Sequence, residues 1–212
     1  MNASAEQSVR EVIAAIERGE EPPDDAFDRH LPPALAEVST LFWTPLAVAL
    51  QGARWLGELG VETVCDVGAG AGKFCVAAAL ASPCRFVGLE HREHLVVAAR
   101  ELARTCGVEE RVELVHGPLE PATLPTDAAY YLFNPFGENV APKSQRLDSS
   151  IELSDARHTR DIAAMVSVLA RAPIGTHVLV YNGFGAAMPS GYESARVDFE
   201  RPNVLRLWSK VA

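Results

Sequence analysis

Basic residues are scarce in this chain, cysteines are few and unpaired, and no apolar run is long enough to cross a membrane. Each shortage removes a class of explanation. Nineteen Lys and Arg stand against 28 Asp and Glu, a net charge of −9, and nine acids face three arginines within residues 1–40 alone. That balance argues against a broad phosphate-tracking surface, so long nucleic acid is a disfavoured partner. The four cysteines (Cys65, Cys75, Cys84, Cys106) show no C-x-x-C spacing. They read as small buried apolar residues, not as a disulfide framework or a metal site. The six histidines form no spaced ligand set, and none has the serine and acid context of a triad. The longest apolar stretches are broken by Arg, Glu or Gly and fall short of a bilayer span. Met1 to Gln7 lack the basic start and apolar segment of a secretion signal. The expectation is a cytoplasmic protein with no membrane contact and no metal.

What is present suffices for one domain: 212 residues with 48% hydrophobic content can bury a substantial core. Ser4 and Gln7 have capping-box spacing before Val9, Val12, Ile13 and Ile16, which recur at helical intervals up to Gly19. Glu20 to Asp25 reads as a charged, proline-broken linker. A second helix is expected with Thr44 as its N-cap and Pro45 in its first turn, running to Gly60. Residues 1–60 thus form a helical segment that precedes a domain over 61–212. In that domain strands and helices alternate: strand 61–67, helix 71–81, strand 85–90, a helix ending near Gly107, strand 111–116 and strand 128–134. A long polar segment follows, then a helix over 154–171 and a strand over 176–181. Residues 192–199 and 204–211 read as a terminal hairpin turned at Arg201-Pro202-Asn203. The pattern predicts an α/β fold, a mostly parallel sheet covered on both faces with an antiparallel hairpin at one edge.

The stretch with most chemistry is Asp66-Val67-Gly68-Ala69-Gly70-Ala71-Gly72-Lys73-Phe74, a strand end, a glycine-rich turn and a helix start. Such a turn brings bare backbone to a ligand and aims free helix N–H groups at it. Glu90, at the end of the second strand, follows Gly72 by 18 positions, close to the spacing at which a carboxylate accepts hydrogen bonds from a ribose diol. A dinucleotide fingerprint starting at Gly68 wants a sixth-position glycine for helix–strand contact, and Lys73 stands there. Asp66 beside the turn repels a pyrophosphate and suits an ammonium group. S-adenosylmethionine carries an ammonium, a sulfonium and no phosphate.

Here the chain resembles the class I S-adenosylmethionine-dependent methyltransferases, whose first motif is an acid followed by alternating glycines and whose second is an acid ending strand two. The resemblance covers roughly residues 40–212 and implies a three-layer Rossmann-like fold with a seven-stranded sheet. The chain is also similar to a small bacterial branch with W-T-P, G-K-F and N-P-F motifs, here Trp43-Thr44-Pro45, Gly72-Lys73-Phe74 and Asn134-Pro135-Phe136. By that resemblance Asp66 contacts the methionine ammonium, Gly68 and Gly70 pass beneath the cofactor, and Glu90 binds its ribose. His91 lies along the adenine. After strand three the family often places an acid at the adenine amine; this chain has Pro118 there, leaving the Leu119 backbone or Glu120 as substitutes.

Several residues carry two readings. Asn134-Pro135-Phe136 is either a strand-ending turn or the place where an acceptor is held, the Asn accepting hydrogen bonds from a planar amine and the ring stacking on it. The family motif at amine-directed enzymes has a second proline that is missing here. Thr44 caps a helix or meets the cofactor carboxylate, and Trp43 and Phe42 close the pocket or simply pack. Lys73 balances a carboxylate or is solvated. Glu138 and Asp148 face the pocket or are exposed loop acids, and of Tyr130 and Tyr131 one is core and one faces a covering helix. The resulting expectation is a methyltransferase using S-adenosylmethionine on a small molecule or protein, an amine nitrogen among the candidates. A non-catalytic binding module and an NAD(P)-dependent oxidoreductase are the alternatives.

Overall fold

A computed structural model of the chain describes residues 3–200 and 203–212, the side chains of residues 3–8 and of Thr123 excepted. The expected side-chain cap by Ser4 and Gln7 and the turn residues Arg201 and Pro202 lie outside the described residues. Helix α1 spans Ala3–Glu17, and three short helices follow: α2 (Asp24–Asp28), α3 (Pro33–Ala36) and α4 (Ser39–Phe42). Then come α5 (Leu46–Glu58), β1 (Thr63–Val67), α6 (Lys73–Ala81), β2 (Arg85–Glu90), α7 (Glu93–Thr105), β3 (Val112–His116) and β4 (Ala129–Phe133). The chain ends with α8 (Asp155–Arg171), β5 (His177–Tyr181), β6 (Tyr192–Asp198) and β7 (Leu205–Lys210). No described helix is long and apolar enough to cross a membrane.

The seven strands form one sheet in the order β3-β2-β1-β4-β5-β7-β6. β1 to β5 run parallel, while β7 pairs antiparallel with both β5 and β6. The expected α/β fold with its terminal hairpin is therefore the observed one. From β1 the chain winds outward through β2 to β3, then returns to place β4 on the other side of β1. The loops leaving β1 and β4 diverge at that switch and leave a crevice at the carboxyl ends of the strands.

Helices cover both faces of the sheet, as expected, but unequally. On one face α6 lies flat, and its sequence explains why. Lys73 to Ala79 are all buried, and four of its nine residues are alanine, so other helices can pack closely on it. Val12, Ile16, Phe27, Leu31 and Leu46 join it in one apolar cluster that also contains Val64, Tyr131 and Leu179 of the sheet. The described N-terminal segment, from Val12 to Leu56, and the sheet thus share a core. The other face carries α8, whose Met165 and Leu169 are fully buried beside Tyr130, Leu132 and Val178. No helix links β5 to β6, and a single 3-10 turn over Pro121–Thr123 links β3 to β4.

Two expectations about the N-terminal segment need correction. Asp24 is not linker: it opens α2, and its Oδ1 accepts the Leu46 N–H at 2.8 Å. Thr44 does not cap α5, because Pro45 is the capping residue and contributes no side-chain hydrogen bond. Asp24, from 22 positions upstream, satisfies that helix end instead, leaving the Thr44 hydroxyl free to pair with the Tyr131 hydroxyl at 2.8 Å.

Candidate functional site

The crevice above β1, β2 and β4 holds a cavity of about 320 Å³. Its floor is the glycine turn. Gly68, Gly70 and Gly72 all have positive φ, at 79°, 56° and 75°, a backbone that only glycine adopts without cost. The turn is tied down from the strand side, since the Gly68 and Ala69 N–H groups both donate to the Leu89 carbonyl at 2.9 Å.

Glu90 is the acid that faces the turn. One carboxylate oxygen accepts the Gly70 N–H at 2.9 Å and the other accepts the Arg92 N–H at 2.8 Å. Only 6% of the residue is exposed, and it lines the cavity. His91 follows, its Nδ1 accepting from the Arg157 guanidinium. Burial first, then the neighbouring Arg157, His116 and Arg92, hold its pKa below the ordinary histidine value. It therefore presents a neutral imidazole to the cavity at physiological pH.

On the β4 side, Asn134 has φ 41°. Its N–H donates to the Gly183 carbonyl at 2.8 Å and its own carbonyl accepts the Gly137 N–H at 3.1 Å. The turn reading of Asn-Pro-Phe is thus correct in geometry, and the same turn sets Asn134, Pro135 and Phe136 in the cavity wall. Pro135 lies over Gly68, where a Cβ would meet its own Cβ at 3.1 Å. The Phe136 carbonyl accepts from His158 Nδ1 of α8 at 2.9 Å, which fixes the turn from the other side.

Eight of the expected site residues line the cavity: Gly68, Gly70, Glu90, His91, Leu119, Asn134, Pro135 and Phe136. Thr44, Asp66, Lys73 and Phe74 do not; they border a second, much smaller cavity of about 30 Å³ that shares Gly68, Phe42 and Trp43 with the first. Gly72 borders neither, and serves packing: a Cβ there would sit 2.6 Å from that of Ala99 on α7. Phe74 is a core residue, stacked on Tyr131 with ring centroids 3.6 Å apart. Lys73 is not solvated but 2% exposed, its ammonium held by Asp24, by Asp28 at 2.8 Å and by the Ser39 hydroxyl at 3.1 Å. Glu120 is exposed and lies outside the cavity wall.

Asp66 is 3% exposed and accepts a hydrogen bond from the Cys75 thiol at 3.4 Å. Burial pushes its carboxyl up to about 7; the thiol's hydrogen bond opposes that shift and the Glu90 charge adds to it. A carboxyl raised in the folded state stabilises the fold below its unfolded pKa and loses that contribution as pH rises through the folded value. The expected result is that wild-type stability falls relative to Asp66→Asn between about pH 4 and pH 7, by up to about 4 kcal/mol, and the difference is flat above. Urea unfolding of both proteins across that range measures it, and a difference independent of pH would show Asp66 to be ionised throughout.

Sequence reasoning missed three contributors. Arg92 is buried; its guanidinium bonds Glu138 at 2.8 Å and Asp148 at 3.1 Å, so neither acid is a free loop carboxylate. Arg157 bonds Asp161 at 3.2 Å as well as His91. Apart from the i,i+4 pair Arg157–Asp161, these contacts join residues far apart in the chain, and no local pattern announces them. Asn182 does have a signal: it follows β5 as Asn134 follows β4, before a glycine, with φ 57° in the same left-handed region and a place in the cavity wall. Among the described residues, no cation in that wall is without a carboxylate partner, and no cluster of metal-ligating side chains is found.

No family model and no curated protein matches the chain. Solved structures do match. An RNA methyltransferase from Salinibacter ruber, in complex with S-adenosyl-L-homocysteine, superposes at a TM-score of 0.54 with 22% identity over 79% of this chain and 93% of that one. The mitomycin 7-O-methyltransferase MmcR gives 0.57 and 19% over 88% of this chain but 57% of that one. The cofactor-bound protein Rv0187 from MTB gives 0.56 and 16% over 84% and 90%. At such identities the likeness is one of fold. The chain has the Rossmann-like fold of the class I S-adenosylmethionine-dependent methyltransferases.

Proposed function

We propose that the chain is an S-adenosylmethionine-dependent methyltransferase acting on a small molecule or a protein side chain, with an amine nitrogen as the favoured acceptor atom. The observation that carries this reading is Glu90, a buried carboxylate turned onto the Gly70 N–H in the wall of a cavity at the strand switch point. The residues fit the cofactor chemically. Glu90 offers oxygens to the two ribose hydroxyls, and the neutral His91 ring and Leu119 offer flat and apolar surface to the adenine. Asp66, next to the small cavity behind Gly68, suits the methionine ammonium, whose charge draws its proton off. A dinucleotide is less well served, because the arginines of the wall are already paired with acids and leave a pyrophosphate no free cation.

When bound, S-adenosylmethionine supplies an electrophilic sulfonium methyl. What the chain adds is alignment. Asn134, held by its left-handed turn, offers an amide oxygen to an acceptor N–H and leaves the nitrogen lone pair directed along the displacement line. The Phe136 ring and residues 1–60, through Phe42 and Trp43, exclude water from the methyl end. The paired arginines and the overall acidity favour a neutral or cationic acceptor over nucleic acid, although one fold neighbour is an RNA methyltransferase and another acts on mitomycin oxygen.

Incubating the protein with tritiated-methyl cofactor and fractionated bacterial lysate tests the reading. Label is expected in a small-molecule or protein fraction, reduced at least tenfold by Asn134→Ala. Cofactor binding with no label in any fraction would favour a non-catalytic binding module instead.

A further inference from the structure

Lys73 is a buried cation that the chemistry above does not use. It is the first residue of α6, immediately after the glycine turn, and its ammonium points away from the main cavity into the N-terminal segment. There it meets Asp24 and Asp28 of α2 and Ser39 of α4. Asp24 simultaneously accepts the first free N–H of α5. One side chain therefore fastens α2, α4 and, through Asp24, the start of α5 to the base of the turn.

Between those anchor points runs the piece of chain that walls the methionine end. Trp43 donates its indole N–H to the Leu35 carbonyl at 2.9 Å and lies against Gly70, where a Cβ would stand 2.5 Å from its ring. Thr44 reaches the Tyr131 hydroxyl. Both residues border the small cavity beside Asp66. Lys73 and Asp28 are desolvated while Asp24 is 40% exposed, so the Lys73–Asp28 contact is the costly one to break, because removing either partner leaves buried charge behind.

We propose that Lys73 is a positioning residue: through Asp24, Asp28 and Ser39 it docks residues 24–44 on the glycine turn, so that cofactor affinity depends on that docking. The inference rests on the methyl-donor reading above. Linkage makes it reciprocal: if the docked segment strengthens cofactor binding, the cofactor strengthens docking by the same factor.

The test uses the full chain with Trp55→Phe and Trp208→Phe, so that Trp43 alone fluoresces, and S-adenosylhomocysteine as the ligand. Lys73→Met should red-shift Trp43 emission without ligand, weaken S-adenosylhomocysteine at least tenfold by calorimetry, and recover the blue-shifted emission at saturation. A purely structural role lowers the melting temperature but does not make emission follow ligand occupancy. Asp28→Asn, a milder lesion at the same contact, should show the same three effects at severalfold size, and it carries the test should Lys73→Met not fold. Unchanged emission, or affinity within twofold of the parent, overturns the inference alone. Failure of the parent chain to bind the ligand overturns it together with the methyl-donor reading.

Discussion

Gly72→Ala is expected to destabilise the protein by roughly 2–5 kcal/mol, more than substitution at any glycine that is merely left-handed. Two costs add. At φ 75° an L side chain stands in a conformation that costs roughly 1–2 kcal/mol. The new methyl would also lie 2.6 Å from the Ala99 Cβ and 3.2 Å from its Cα, atoms of a packed helix that cannot swing aside, and overpacking costs about 1–3 kcal/mol more. Gly107 provides the control. Its φ is 69°, yet nothing lies within 4 Å of an added Cβ, so Gly107→Ala should show the conformational cost alone. Urea unfolding of the two variants separates the terms. Equal losses would mean that α7 does not press on the turn.

Glu90→Ala is expected to lower S-adenosylhomocysteine affinity by roughly 10- to 100-fold and to loosen the turn as well. Hydrogen bonds to a charged partner contribute about 1.5–3 kcal/mol, and on the proposed reading the variant would lose those to the ribose diol together. In addition, the Gly70 and Arg92 N–H groups lose their acceptor, so the empty site itself is less well formed. Glu90→Gln keeps an acceptor oxygen and should fall between wild type and alanine. Calorimetric titration gives the order; alanine binding as well as wild type would remove Glu90 from the site.

Much of this is legible in the amino-acid sequence. Strands β1 to β5 are short apolar runs set between helices or turns, and each observed bound lies within two residues of the expected one. That the glycine turn and Glu90 face each other is legible because the turn's glycines are adjacent in sequence and Glu90 ends the neighbouring strand. Asn134 was legible for the same reason, as a polar residue closing a buried strand. What was hidden depends on distance. Asp24 looks like solvated linker until Lys73, 49 positions later, is folded beside it. Arg92 looks like any helix-start arginine until Glu138 and Asp148 reach it. Helices α2, α3 and α4 are too short to carry a period, and Pro22, Pro32 and Pro33 disguise them as loop. Thr44 was misassigned because a threonine before a proline satisfies the rules for a cap, whereas the fold turns its hydroxyl toward Tyr131.

The central claim is that the cavity over Gly68, Gly70 and Glu90 is built for an adenosyl cofactor with a free ammonium end. Isothermal titration of the wild-type chain with S-adenosylhomocysteine tests it most directly. The account predicts saturable binding at one site per chain with micromolar affinity. No detectable binding at hundreds of micromolar, with the protein folded, would contradict it.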